Sequence, residues 1–162
     1  MNTNILKYHT NFKLGGPAKK IVTAKSEKGL IQIYKNAVAN SELFYILGEG
    51  TNIIASDNGF NGTIIKVAIS GLAVNGKKIT CDAGAKLQTL VNTANKNGLE
   101  GLATLAGIPG TVGGAVYGNA GAYGREISEF LTHVKVFDGL CVRWMPKKSC
   151  VFKYRDSIFK KK

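Results

Sequence analysis

The stretch of this sequence best suited to chemistry has almost no side chains. Residues 107–115 read Gly-Ile-Pro-Gly-Thr-Val-Gly-Gly-Ala, and residues 119–124 read Asn-Ala-Gly-Ala-Tyr-Gly. Seven glycines fall between Gly107 and Gly124, and no charge falls between Leu102 and Gly124. Glycine loses the most backbone freedom on folding, so seven together are costly in an ordinary core. Tight helix–strand packing accounts for one or two of them. A site that needs bare main chain accounts for the rest: N–H groups bond the phosphates of a flat, extended diphosphate ligand, and small residues let a ring slide in. The run lacks the bulky apolar surface of a membrane span and reads instead as a buried, backbone-lined site.

A second glycine loop, Gly48-Glu-Gly-Thr-Asn52, follows a short apolar strand. Two glycines after a strand can aim several N–H groups at one anion. The loop is not a dinucleotide fingerprint, because Ile53 stands where the third glycine belongs, and it lacks the Gly-Lys-Ser/Thr of a phosphate-binding P-loop. Alone it says little more than turn. His9 and His133 have no Cys or carboxylate partners at ligand spacing, so no metal site is expected. Asp57 stands equally between a ligand contact and an ordinary Asp-Asn-Gly turn.

The elements that must position these loops follow from periodicity. Lys20–Ala24 reads as a strand. Ser26 is a good helix N-cap before Leu30, Ile33, Tyr34, Ala37 and Val38 at helical spacing. Phe44–Leu47, Ile53–Ile54 and Thr63–Val67 read as further strands. Leu72–Val74 and Lys78–Cys81 flank a hairpin turn at Asn75-Gly76. Leu87, Leu90, Val91 and Ala94 form a helical stripe stopped by Gly98. Val134–Phe137 and Cys141–Trp144 form a second hairpin around Asp138-Gly139. Strands and helices interleave, so the fold class is α+β or mixed α/β, with two lobes, 1–70 and 71–162.

Composition narrows the classes. With 44% hydrophobic and 20% charged residues the chain is not a disordered one. The net charge of +12 admits a nucleic-acid partner. Only Arg125, Arg143 and Arg155 are arginines, however, and base-edge and phosphate-fork recognition favours arginine over lysine. A lysine-rich overall composition is the preferred reading. Three cysteines without a CxxC pair argue against both a disulfide framework and a zinc site, and suit a reducing cytoplasm. The first residues carry no apolar core of a signal peptide.

Four blocks, taken in order, resemble the flavin-binding part of the UDP-N-acetylenolpyruvoylglucosamine reductase (MurB) family. They are His9-Thr-Asn-Phe-Lys-Leu-Gly-Gly-Pro-Ala18; Leu47–Asp57 with Gly59, Phe60 and Gly62; Gly98-Leu-Glu-Gly-Leu with Ala106–Ala115 and Asn119–Gly124; and Cys150-x-Phe-x-Tyr-Arg-x-Ser-x-Phe-Lys160. The resemblance implies a two-lobed α+β FAD-binding domain of the vanillyl-alcohol-oxidase type. It implies that NADPH reduces FAD, and that the flavin passes hydride to the enolpyruvyl group of a UDP-sugar, giving UDP-N-acetylmuramate for peptidoglycan. It places Leu47, Gly48, Glu49, Gly50, Thr51 and Asn52 in one loop on the cofactor. Gly107, Ile108, Pro109, Gly110, Thr111, Gly113, Gly114 and Ala115 form the other, with Asn119, Gly121 and Tyr123 also at the cofactor. Tyr154 and Arg155 fall to the substrate, and Arg155 is the expected catalytic side chain, because a guanidinium is always charged and forks to a carboxylate. Outside this motif a surface ion pair would be its default role. Ser157 is expected to support the site, and Cys150 and Phe152 to pack in the core.

The sequence departs from the family pattern in three ways. Thr51 replaces a usual Ser and keeps the hydroxyl. Ala103 replaces a frequent Glu. No position matches the family's proton-donating serine, the glutamate that assists it, or most of its substrate domain. The chain alone is therefore expected to bind FAD weakly or not at all and not to complete the reduction. The alternatives are an inactive FAD-binding remnant, such as a reading frame cut short at Phe159-Lys-Lys-Lys, and a basic nucleic-acid-binding module. No nucleic-acid partner and no membrane insertion are expected.

Overall fold

The computed structural model describes residues 4–161, which divide into two compact units, one ending at Ser70 and the other beginning at Gly71. The secondary structure is mixed, as an α+β class requires.

The first unit is a parallel sheet with one helix. Its strands are β1 (Ala18–Ala24), β2 (Phe44–Leu47) and β3 (Phe60–Val67), in the order β1-β3-β2. The central strand β3 carries a continuous buried run from Gly62 to Ile65, as a strand covered on both faces must. Helix α1 (Glu27–Ala39) joins β1 to β2. It begins where Ser26 Oγ accepts the Gly29 N–H at 3.1 Å, with Glu27 in the first turn where the helix dipole favours an acid. Val38, expected on the buried stripe, is exposed; Ala37 is the helix's buried residue. Leu6, Ala18, Leu47 and Ile64 form the core. Residues 53–56 form no strand. Ile53 packs on that core while Ile54 is 75% exposed, so two β-branched residues without a ladder partner stay irregular.

The second unit begins with the hairpin of β4 (Leu72–Asn75) and β5 (Lys78–Cys81). Asn75 pairs with Lys78, which leaves Gly76 and Lys77 as the loop. Helix α2 (Leu87–Lys96) buries Leu87, Leu90, Val91 and Ala94, and the chain leaves it through Gly98 at φ +66°. The glycine-rich run holds a six-residue helix that its composition does not announce, α3 (Val112–Tyr117). A tight hairpin follows, β6 (Gly121–Ala122) and β7 (Arg125–Glu126). Its two loop residues, Tyr123 and Gly124, both have positive φ, as a type I′ turn demands. Strands β8 (His133–Phe137) and β9 (Val142–Pro146) form the last hairpin. The core gathers Leu87, Leu90, Val91, Leu105, Val112, Ala115, Val116 and Ile127. Cys150 is buried, and Phe152 packs against this core.

Asp138 organises the β8–β9 turn. Its Oδ1 accepts the Leu140 and Cys141 N–H groups at 3.0 Å each, and its Oδ2 accepts Arg143 Nε at 2.9 Å. The Cys141 and Leu140 amides, then Arg143, hold its carboxyl down from 3.8 to about 2. A depressed acid stabilises the fold above its unfolded value and loses that effect as pH falls through its folded value. The hairpin turn is therefore expected to stay intact at pH 4 and to loosen as pH approaches about 2. A carboxyl titration followed by NMR checks this, with the β8–β9 turn resonances moving at the same midpoint.

No helix among the described residues is long and apolar enough to cross a membrane.

Candidate functional site

In the first unit, β2 ends at buried Leu47 and releases the chain into Gly48–Asn52. Gly50 is buried at φ +68°, and a Cβ there would collide with the carbonyl oxygen of His9. The approach is held by the Asn11 N–H, which donates to Gly50 O at 3.0 Å. Buried Thr10 braces the same segment by donating from Oγ1 to Leu14 O at 2.9 Å. The N–H groups of Gly50 and Asn52 have no hydrogen-bond partner among the described residues. Asn52 is exposed, but Gly50 is a buried residue, where an N–H without a partner is rare and marks a place where a ligand or water is expected. Glu49 and Thr51 are half-buried in the same loop. Asp57 lies just beyond it and accepts the Gly15 N–H at 3.3 Å, so here the aspartate braces the main chain. An open cavity of about 500 Å³, lined by Lys19, Glu42 and Asn61 among others, lies at the opposite end of β2 and is no part of this loop.

In the second unit, most N–H groups of the glycine run are used internally. Gly107 donates to Gln88 Oε1 at 2.8 Å and Ile108 to Leu105 O at 3.3 Å. Val112 and Gly113 donate to Ala85 O and Ala83 O at 2.8 Å each. Gly114 donates to Thr111 Oγ1 at 3.3 Å, the N-cap bond of α3. The run is thus not an open row of donors. What remains are the N–H groups of Gly110 and of buried Thr111, which have no partner among the described residues. Thr111 bridges Lys86 in an antiparallel pair whose flanking residues make the bonds, so its own N–H points away from that ladder.

The two adjacent glycines of α3 have different reasons to be bare. A Cβ on Gly113 would lie 2.8 Å from Ala83 Cβ and 2.9 Å from Ala83 O, so packing forbids it. Gly114 is exposed, and a Cβ there would meet only Thr111 Oγ1, at 3.4 Å. Nothing within its unit requires glycine at 114. Pro109 is exposed and Ala115 is buried against the core.

Beyond α3, buried positions give way to exposed ones toward the β6–β7 turn. Asn119 is fully buried, and its amide serves other parts of the unit. Gly121 is buried at a position where a Cβ would strike Arg125 O. Tyr123, at the tip of the β6–β7 turn, is 89% exposed, and Tyr154 is 82% exposed. Arg155 is exposed at φ +51° and donates from one Nη to Gly121 O at 2.7 Å. Ser157 is buried and donates to Tyr117 O at 2.7 Å, a supporting role.

The arginines divide by partner. Arg125 pairs with Glu129 at 2.6 Å and Arg143 with Asp138 at 2.9 Å. Arg155 makes no ion pair among the described residues. Its guanidinium sits 5.7 Å from the Tyr154 ring centroid and keeps donors for an anion. The roles of Asn11 and Gln88 escaped sequence reasoning because both act through contacts distant in sequence, to Gly50 and Gly107, that leave no periodic trace.

Comparisons with known proteins show which family the chain belongs to. Residues 18–140 match the family model described as an FAD binding domain. The UDP-N-acetylenolpyruvoylglucosamine reductase of Solibacter usitatus is 45% identical over 156 residues, which span 96% of this chain and 50% of that protein. The enzyme of the same name from Pseudothermotoga lettingae is 43% identical over 156 residues, spanning 96% of this chain and 54% of its own length. The crystal structure of UDP-N-acetylenolpyruvylglucosamine reductase (MurB) from Thermus caldophilus superposes with a TM-score of 0.79 at 32% identity, over 94% of this chain and 55% of that one. The chain spans about half the length of the curated relatives it matches.

Proposed function

Because the chain belongs to the FAD binding domain family, we propose that it holds FAD for the reduction of an enolpyruvyl UDP-sugar to UDP-N-acetylmuramate, with NADPH as hydride source. This is the flavin-bearing portion of the activity its relatives are named for. The observation that carries the reading is a pair of N–H groups on buried residues, Gly50 and Thr111, one in each glycine loop, that have no partner among the described residues. Each suits a phosphate oxygen, since a buried donor left unmade costs about 1–3 kcal/mol and a charged acceptor makes the stronger bond. Asn52 and Gly110 add a donor to each loop. Gly114 leaves main chain open where a flat group can approach.

When bound, the flavin supplies the hydride chemistry, and the protein's part is to bind and orient. Arg155 holds the substrate carboxylate, its guanidinium steadied from one side by Gly121 O and unpaired with any acid among the described residues. A fixed positive charge there stabilises the negative charge that builds on the enolpyruvyl group as hydride arrives. Peptidoglycan precursor synthesis and the cytoplasm follow from the same reading.

The test is colour and titration. Free FAD fluorescence is expected to quench on adding the chain, with weak affinity, a Kd of about 10⁻⁶ M or above. Heat should release the flavin intact. Absence of quenching at any attainable concentration, from protein whose melting is cooperative, would overturn the proposal. Bleaching of the bound flavin by NADPH tests the hydride source separately.

A further inference from the structure

We propose that Asn119 is the positioning residue for Arg155. The inference rests on the function proposed above, in which Arg155 meets the substrate carboxylate.

Three side-chain bonds join residues 117–121 to residues 153–157. Ser157 Oγ donates to Tyr117 O at 2.7 Å, Asn119 Nδ2 to Lys153 O at 2.9 Å, and Arg155 Nη to Gly121 O at 2.7 Å. Asn119 does the most. It is fully buried, its Nδ2 also donates to Glu126 Oε2 at 2.7 Å, and its Oδ1 accepts the Ser128 N–H at 3.2 Å. It sits at φ +45°, a left-handed conformation that asparagine tolerates better than most residues.

The Lys153 carbonyl it grips is the base of a tight turn. Lys153 N–H donates to Asp156 O, and Asp156 N–H to Lys153 O, at 3.0 Å each. Arg155 occupies the third position of that turn at φ +51°, where glycine or asparagine is usual. Val151 shortly before it is also left-handed, at φ +48°, a strong outlier for a β-branched residue. Strained backbone of this kind persists only when its surroundings over-determine it. Ser157 fixes the far end of the segment and Asn119 the base of the turn. The turn then aims one guanidinium donor at Gly121 and leaves the others for a carboxylate.

The test uses the full 162-residue chain and nitrogen-15 NMR. With three arginines in the sequence, guanidinium signals are few, and Arg155→Lys identifies that of Arg155. Asn119→Gly keeps the left-handed backbone accessible and removes the amide. Asn119→Asp keeps the volume but sets an oxygen against Lys153 O and the Glu126 carboxylate. Both are expected to speed exchange of the Lys153 and Asp156 amides about tenfold and to erase the protected Arg155 Nη signal. The Ala115 amide of α3 and the Arg143 signal should not change. An unaltered turn and Arg155 signal would overturn the proposal. So would loss of protection spread evenly through α2 and α3, or failure of both variants to fold, since Asn119 would then only hold the core. No flavin enters this experiment, so its failure leaves the FAD reading standing, and loss of FAD binding elsewhere leaves this result standing.

Discussion

Gly114→Val is expected to weaken FAD binding about a hundredfold, close to 2.7 kcal/mol, without lowering the melting temperature. The two halves of that expectation come from one geometry. Gly114 is exposed, and a Cβ added to it meets only Thr111 Oγ1 at 3.4 Å, an ordinary contact. Valine is a better helix former than glycine by a few tenths of a kcal/mol, so α3 does not suffer. What the branched side chain removes is access to the main chain from outside. Gly113→Val supplies the contrast. Its new atoms would press on Ala83, where Cβ and O lie 2.8 and 2.9 Å from an added Cβ, and overpacking of that kind costs about 1–3 kcal/mol. Fluorescence titration with FAD beside a thermal melt separates the pair. A Gly114→Val protein that binds FAD like the parent would remove the reason offered for its bareness.

Gly50→Ala is expected to destabilise the first unit by about 3 kcal/mol or more, the sum of left-handed strain and a backbone collision. Gly50 sits at φ +68°, and an added methyl would collide with the His9 carbonyl, which is main chain and cannot swing aside. For a unit of this size such a loss lowers the melting temperature by about 15 °C. Calorimetry reads it directly. Gly107→Ala is the control: φ is +80°, but nothing lies within 4 Å of its added Cβ, so strain alone remains, about 1 kcal/mol. Equal losses at the two positions would refute the collision.

Where the sequence was legible, a local rule and the tertiary demand coincided. Ser26 caps α1, and Leu87, Leu90, Val91 and Ala94 are the buried face of α2, because a helix stripe and a core need the same residues. Both expected hairpins form around Gly76 and Gly139, where positive φ is needed. Ile53–Ile54 misled because β propensity describes fit to a neighbour, and no strand lies there to pair with. Helix α3 was invisible because Gly113 and Gly114 are poor helix formers. The turn is imposed by the Thr111 cap and by the bonds of Val112 and Gly113 to Ala85 and Ala83.

The site was legible to the extent that glycine reports absence of side chain. The sequence placed the bare main chain in two loops. It could not say which N–H groups the fold itself would consume, since the acceptors Gln88, Ala83 and Ala85 lie far from any motif. Nor could it foresee that Arg155 would be the arginine lacking an acid among the described residues, since the partners of Arg125 and Arg143 are set by two turns.

The neighbouring glycines of α3 also act as a record of use. Position 113 is closed to side chains by the architecture, whatever the protein does. Position 114 is left open by its own unit, and on the function proposed above it stays glycine because a ligand touches the helix from outside. In a descendant released from holding a cofactor, mutation would be free to settle first at 114 and would still be refused at 113. This chain keeps glycine at both.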